Sequence, residues 1–534
     1  MKALRALPAA LALLASAAVA PDLAAQRSDA QRGDAPPARF TDPDRVAKLS
    51  GAFGAIDSAF RAFVEREHVP GATWGIVIDG RLAHVGVAGQ RDLEARAPVD
   101  PNTVFRIASM TKSFTAMAIM RLRDEGKLSL DDPVERHVPE LRDLDYPTTD
   151  APRITIRHLL THAEGFPEDN PWGDRQLAIT GEEMSRMMRE GIPFSNAPGV
   201  AYEYSNYGFA ILGRVVANVS GMPYRDYVEA HVLRPLGMTS TTLSPTAVPA
   251  GRLALGYRWE DDTWKLEPQL PDGAFGAMGG MLTSLQDLGT YVGAYLAAWP
   301  PRDGEDTGPV RRASLREMQQ LWRSRPAAAA LTADGTLRMS AGGYGYGLGV
   351  TGDCDFAHVV AHSGGLPGFG SLMRWLPEHG VGIIAFGNRT YTGWSAPVGE
   401  AFRMLRATGG LEPRQAQPSA ALAERRDQVT RLVLRWDDAL ADSVAAMNLF
   451  LDESRDRRQA EIARLLEEVG PCEAGTGFDR VENWLRGEWT MPCRSGSLRV
   501  RITLSPTVPP MVQHLDVARK PEEGNRSAGY CTKY

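Results

Sequence analysis

Apolar positions along the chain change period several times, and each period predicts a different kind of element. From Ile107 through Met110, Phe114, Met117, Ala118 and Leu122 they recur every three or four residues until Gly126, which predicts a helix with a buried face. The same spacing over residues 44–67 (Val46, Leu49, Phe53, Ile56, Phe60, Phe63, Val64) predicts another helix. Between them, strand-like runs at 72–78 and 82–87 flank Asp79-Gly80, a preferred two-residue hairpin turn. Segments 128–133 and 154–162 lead into a mostly helical middle region that runs to about Leu236. Within it, residues 198–206 read as a turn followed by an apolar helix starting near Tyr207. Later, 359–368, 371–376 and 381–386 read as three successive strands, the last two joined at Pro377-Glu378-His379-Gly380, and so as an antiparallel meander.

Periodicity is lost over residues 408–419, which are rich in glycine and proline and read as a linker after a domain spanning 41–407. Beyond it come amphipathic helices (Val429, Leu432, Val433, Trp436; then Ile462, Leu465, Leu466, Val469) and strands at 497–504 and 511–517, the first in strict alternation. Helices followed by strands predict a small α+β domain at 420–534. At the other end, residues 1–25 open with Lys2 and Arg5, continue as an alanine- and leucine-rich run and carry no acid before Asp22, the outline of a secretory signal peptide. Cleavage after Ala20 fits the small-x-small rule but leaves Pro21 next, so cleavage after Ala25 competes with it. Residues 26–40 read as a disordered leader. The mature protein is expected to be periplasmic or secreted, with no stable membrane span, because the apolar run is too short to cross a bilayer.

Composition narrows the function classes. The chain has 534 residues, 43% hydrophobic and 23% charged, with a formal net charge of -6, values of a soluble globular protein for which nucleic acid is not an expected partner. It is too long for one core. Four cysteines suit export but are too few to form the main scaffold. Cys472 and Cys493 are close enough in sequence to be bridged, reduced thiols being the alternative. No metal-ligand spacing, phosphate loop or internal repeat is visible, so no cofactor or metal is expected. Asn525-Arg526-Ser527 fits a glycosylation sequon, which carries no meaning if the protein is a bacterial exported one.

Three short constellations carry candidate chemistry. Ser109 and Lys112 stand three apart where a helix should begin, so the amine can reach the hydroxyl across one turn, and the free N–H groups of that turn suit an oxyanion. Apolar neighbours tend to lower the lysine pKa toward that of a usable base. Tyr204 and Asn206 share a loop before a helix and can project into a cleft, or they are a core tyrosine and a helix cap. His362 ends a strand followed by Gly364 and Gly365, which would let a substrate lie against the strand and reach its N–H groups; a hydrogen-bonded sheet histidine is the other reading.

In order and spacing, Ser-x-x-Lys, Tyr-x-Asn and His-x-Gly resemble the β-lactamase and penicillin-binding-protein superfamily, most closely its class C β-lactamase and esterase branch. The resemblance covers roughly residues 40–405. It includes Leu159-Leu160-Thr161-His162-Ala163-Glu164-Gly165, where Ala163-Glu164 departs from the usual Thr-Ser, as well as Arg234-Pro235-Leu236-Gly237-Met238 and the segment 277–284. It implies an α/β (α+β) fold, an antiparallel sheet flanked by helices with a mostly helical subdomain, followed by the small C-terminal domain. It implies Ser109 as acylated nucleophile and Lys112 and Tyr204 as coupled bases. Asn206 would orient the lysine and the substrate amide, and the N–H groups of Ser109 and Gly365 would form the oxyanion hole. His362 stands where true β-lactamases carry a lysine, and a histidine of ordinary pKa is mostly neutral at pH 7. The resemblance therefore points to an esterase, amidase or D-amino-acid peptidase acting on a small-molecule or peptide substrate; the alternative is a non-catalytic or acylation-only sensor.

Overall fold

The computed structural model describes residues 35–331 and 337–520, which form two compact units, Pro37–Gln415 and Ala416–Lys520. The signal-peptide and cleavage-site readings, most of the expected leader and the Asn525 sequon lie outside the described residues.

In the larger unit, helix α1 (Arg45–Ser50) and helix α2 (Phe53–Arg66) replace the single expected helix, because a turn at Gly51-Ala52 interrupts the backbone ladder. Leu49 turns inward, whereas Val46, expected on the core face, is exposed. Strands β1 (Gly71–Ile78) and β2 (Arg81–Asp92) form the expected hairpin, with Asp79 and Gly80 both at positive φ, as a two-residue turn between twisted strands requires. Strand β3 (Ala97–Pro98) follows, then helix α3 (Thr111–Asp124), helix α4 (Asn206–Ser220) and helix α5 (Leu285–Ala297). Six more strands complete the sheet: β4 (Arg323–Leu331), β5 (Leu337–Tyr344), β6 (Gly349–Asp353), β7 (Val359–Leu366), β8 (Phe369–Leu376) and β9 (Val381–Gly387), before helix α6 (Ser395–Ala407).

The sheet runs β3-β2-β1-β9-β8-β7-β6-β5-β4, antiparallel throughout, and contains the expected meander as β7-β8-β9. Strand β1 closes on β9 with Trp74 opposite Ala385, so the first and last parts of the unit share one sheet. Both faces are covered. Trp74, Ile76, Leu372 and Ile383 pack with Phe60 of α2 and Phe402 of α6 on one side. Val77, Met373, Ile384 and Phe386 pack with Met117, Phe209 and Tyr291 of α3, α4 and α5 on the other. Burial on both sides explains why β1 and β9 are continuous apolar runs rather than alternating ones.

Two expected boundaries shift. Residues 408–415, read as linker, belong to the larger unit: Leu411 is buried in its core and Arg414 donates to the Pro377 carbonyl. The end of the expected disordered leader is likewise placed, with Arg39 pairing Gln415 and the Phe40 ring under the guanidinium groups of Arg45 and Arg414. An aromatic ring and two arginine stems bury enough apolar surface to order a short segment that composition alone marks as polar.

The smaller unit places helix α7 (Ala420–Leu434) and helix α8 (Arg455–Val469) with a four-stranded antiparallel sheet, β10 (Arg480–Asn483), β11 (Arg486–Cys493), β12 (Gly496–Leu504) and β13 (Val512–Arg519). The alternation read in β12 is real: Leu498, Val500, Ile502 and Leu504 are buried beside Val429, Ile462 and Leu465. A disulfide joins Cys472 to Cys493, 21 residues apart. No helix among the described residues is long and apolar enough to cross a membrane.

Candidate active site

Ser109 lies in a single 3-10 turn, Ala108–Met110, immediately before α3 rather than inside the α-helix itself. The turn is sharp because Ala108 adopts a φ of 49°, a left-handed conformation that L-residues seldom take and that persists only where surrounding contacts enforce it. One such contact is β7. A Cβ on Gly364 would fall 2.1 Å from the Ile107 carbonyl oxygen, so only glycine lets the strand press against the backbone ahead of Ser109. Ser371, paired with Gly364, donates its hydroxyl to that same carbonyl at 2.8 Å. Gly364 thus faces the Ile107 carbonyl, whereas Gly365 lines the cavity with Ser109.

Helix α3 is buried nearly all round, its polar residues included. Thr111, Ser113 and Thr115 direct their hydroxyls to the Ala108, Met110 and Ala277 carbonyls. Gly126, at φ 72°, follows its end, where the sequence placed the stop. Lys112 is fully buried, and its Nζ lies 3.1 Å from Ser109 Oγ, 2.6 Å from Asn206 Oδ1 and 2.9 Å from the Met278 carbonyl. Asn206 Oδ1 and the Met278 carbonyl can only accept, so they take two N–H bonds and leave the remaining position on nitrogen aimed at Ser109. Burial brings the Lys112 pKa down to about 7 against the opposing pull of Asp174 and Asp169.

Asn206 is free for this contact because the cap of α4 is its neighbour: Ser205 Oγ accepts the Gly208 N–H. Asp169 accepts the N–H groups of Asn206 and Tyr207, and Asn206 Nδ2 donates to Asn170 Oδ1 at 3.1 Å. Tyr204 lies with its ring centroid 4.8 Å from Lys112 Nζ and lines the cavity. Burial pushes its phenol well above the ordinary tyrosine value, only partly offset by hydrogen bonding to Ser109. The two residues expected to act as coupled bases are therefore driven in opposite directions, the lysine toward the neutral amine and the tyrosine toward the neutral phenol.

His362 is held from both ring nitrogens. The Ser363 carbonyl, 2.6 Å from Nδ1, can only accept, so Nδ1 carries the hydrogen and Nε2 accepts from the Tyr344 hydroxyl at 2.7 Å. Burial and the nearby Lys112 pull its pKa down to about 3, so the ring is neutral across the physiological range. A second buried histidine, His162, accepts the Ser205 N–H on Nδ1 and packs its ring 4.3 Å from that of Tyr204 and 4.6 Å from that of Tyr344. Its role in fixing the Tyr204 loop is the physical content of the Leu-Leu-Thr-His segment. The neighbouring Glu164 is fully buried, packed against Gly208, and neither carboxyl oxygen has a partner among the described residues. Burial raises its pKa well above the usual range.

These residues meet at a cavity of about 770 Å3 lined by Ser109, Tyr204, Tyr344, His362, Gly365 and Tyr391, among others. Sequence reading missed Met278, Tyr344, Asp174 and Tyr391. Met278 lay in a quoted segment, but its contribution is a backbone carbonyl, which no residue-type pattern marks.

A serine and a neutralisable lysine on one turn, closed by a tyrosine and an asparagine beneath an antiparallel sheet, define a serine-hydrolase-like class of protein. The Beta-lactamase family model matches residues 56–408, and the chain belongs to that family. It is 29% identical over 348 residues to Protein flp of Staphylococcus aureus (strain MW2), 62% of either chain. To Penicillin-binding protein 4* of Bacillus subtilis (strain 168) it is 26% identical over 314 residues, 56% of this chain and 64% of that one. The match thus spans about three-fifths of the length of these curated relatives. Among solved structures, the octameric penicillin-binding protein homologue from Pyrococcus abyssi superposes with a TM-score of 0.56 at 23% identity, covering 85% of this chain and 96% of that one. A class C beta lactamase from Rhodobacter sphaeroides gives 0.51 at 22% identity, covering 66% and 98%. Both support the fold.

Proposed function

We propose that the protein is an exported serine hydrolase that works through an acyl-enzyme on Ser109, with esters, amides or D-amino-acid peptides as substrates. The observation that carries this reading is the Lys112 nitrogen, fixed by two obligate acceptors so that its third position addresses Ser109 Oγ at 3.1 Å. Neutral Lys112 takes the serine proton as Oγ attacks the acyl carbon, and the N–H groups of Ser109 and Gly365 receive the oxyanion. The neutral Tyr204 phenol, which lines the cavity with Ser109, passes a proton to the leaving oxygen or nitrogen and is resupplied from Lys112. Water then attacks the acyl-enzyme with the same groups acting in reverse. His362, neutral and bonded to Tyr344, offers no permanent charge to a substrate carboxylate, which supports ester or amide substrates over β-lactams.

The test is fluorophosphonate labelling together with steady hydrolysis of a p-nitrophenyl ester, each lost in Ser109→Ala. A burst without later turnover would favour the acylation-only sensor, and undiminished activity in Ser109→Ala would refute the assignment. Export rests on the basic start and apolar run of residues 1–25, and N-terminal sequencing of the mature protein decides between cleavage after Ala20 and after Ala25.

A further inference from the structure

The carboxylates around Ser109 are not equivalent. Asp169 is committed to the backbone, both of its oxygens accepting N–H groups at the start of α4. Glu168 is exposed and accepts the Asn170 N–H. Asp174 differs: it is 3% exposed, lines the cavity, and its side chain accepts one hydrogen bond, from the Tyr391 hydroxyl at 2.9 Å. Its strongest charged neighbours are Lys112, Asp169 and Glu168.

Its position is built. The turn Asn170–Gly173 that carries it is pressed onto Asn206, where a Cβ on Gly173 would meet the Asn206 Cβ at 2.8 Å. Tyr391, which holds it from the sheet side, adopts a left-handed φ of 53° and lays its ring against Gly365, where an added Cβ would fall 2.6 Å from Cδ1. Asp174 and Gly365 therefore flank the Ser109 entrance, one from each side, joined by Tyr391. When Lys112 is neutral, as its role as base requires, no cation close to Asp174 balances its charge, and its nearest charged groups are then the carboxylates of Asp169 and Glu168. A buried carboxylate without a counter-ion is costly, and a cation delivered by the substrate would relieve that cost.

We propose that Asp174, oriented by Tyr391, anchors a protonated amine on the acyl part of the substrate, so that the site selects aminoacyl esters or amides with a free α-ammonium over their uncharged counterparts. An α-ammonium lies two bonds from the carbonyl carbon that Ser109 attacks, which suits an anchor beside the nucleophile. It also holds Lys112 in its neutral form, since like charges disfavour each other's protonation. Arg325 and Arg374, which also line the cavity, do not oppose this. Arg325 sits exposed over the Tyr202 ring, and Arg374, paired with Ala361, shares the strand face of Leu372, opposite to that of Met373, the partner of His362.

This inference rests on the acyl-enzyme reading, and one experiment separates the two. At neutral pH, Ser109 of the full chain is labelled with a fluorophosphonate in the presence of alaninamide or of lactamide, in which a hydroxyl replaces the ammonium. Alaninamide should protect at a concentration at least about tenfold lower, the size of one hydrogen bond to a charged group. Asp174→Asn should erase that preference, and Tyr391→Phe, which keeps the carboxylate, should reduce it. Equal protection by the two amides in the unaltered protein overturns the proposal. So does an Asp174→Asn protein that keeps the preference while the pH dependence of labelling shifts, since Asp174 would then be only the counter-charge of Lys112. Absence of any labelling in the unaltered protein is instead the failure of the acyl-enzyme reading. Should Asp174→Asn not fold, an undiminished preference in Tyr391→Phe overturns the anchor as described.

Discussion

Asn206 Oδ1 lies 2.6 Å from Lys112 Nζ although 94 residues separate them in sequence, and this contact decides where the lysine points. A long flexible side chain would otherwise sample many rotamers. Here the amide and the Met278 carbonyl spend two of its hydrogen bonds and direct the third at Ser109.

The first prediction follows from the Lys112 pKa of about 7. A general base acts when deprotonated, so kcat/KM for an uncharged ester should rise with pH and level off above about 7. His362 is not the source of that limb, because it stays neutral above about 3; the limb belongs to Lys112 together with the neighbouring Asp174, which burial raises to about 6. A pH profile of His362→Asn that keeps the limb supports this; disappearance of the limb would transfer it to the histidine.

Lys112 and Tyr204 should behave as a unit, since the proton removed from Ser109 passes between them. Lys112→Ala and Tyr204→Phe should each lower kcat by about three orders of magnitude or more, and the double variant little further. Losses that multiply, measured by single-turnover kinetics, would show that the two act independently.

His362→Lys should impair ester turnover and gain nothing on carboxylate-bearing β-lactams. The new amine would stand beside the buried Lys112, lose the Ser363 and Tyr344 hydrogen bonds, and leave the Tyr344 hydroxyl without its acceptor. Efficient nitrocefin hydrolysis with full esterase activity retained would mean that this position selects for charge after all.

Glu164 supplies a stability prediction. Its pKa is raised in the folded protein, so the folded state keeps a proton that the unfolded chain releases above about 4.3. Stability is therefore unpenalised in acid and falls as pH rises from there toward the folded pKa, by at most about 1.4 kcal/mol per pH unit for one proton. Glu164→Gln should remove that slope and stabilise the protein at neutral pH. Denaturant midpoints of the two proteins that stay parallel across this range would show that the carboxyl has found a partner.

Much of the site was legible because short-range geometry is regular. The three-residue spacing of Ser109 and Lys112 puts them within reach on any helical turn, and Asp79-Gly80 forms its hairpin from local backbone preference, whereas the cap of α4 is Ser205 and not the Asn206 that the sequence offered. The identity of His362 already excluded a permanent charge at that strand. Tertiary structure decided the rest. Burial is a sum over distant segments, so nothing local announced that Lys112 is pushed down while Tyr204 is pushed up, or that Gly364 faces the Ile107 carbonyl rather than the cavity. The Asp174–Tyr391 contact spans 217 residues and depends on a helical segment and the end of a sheet meeting across a cleft, a relation that no spacing in the chain records.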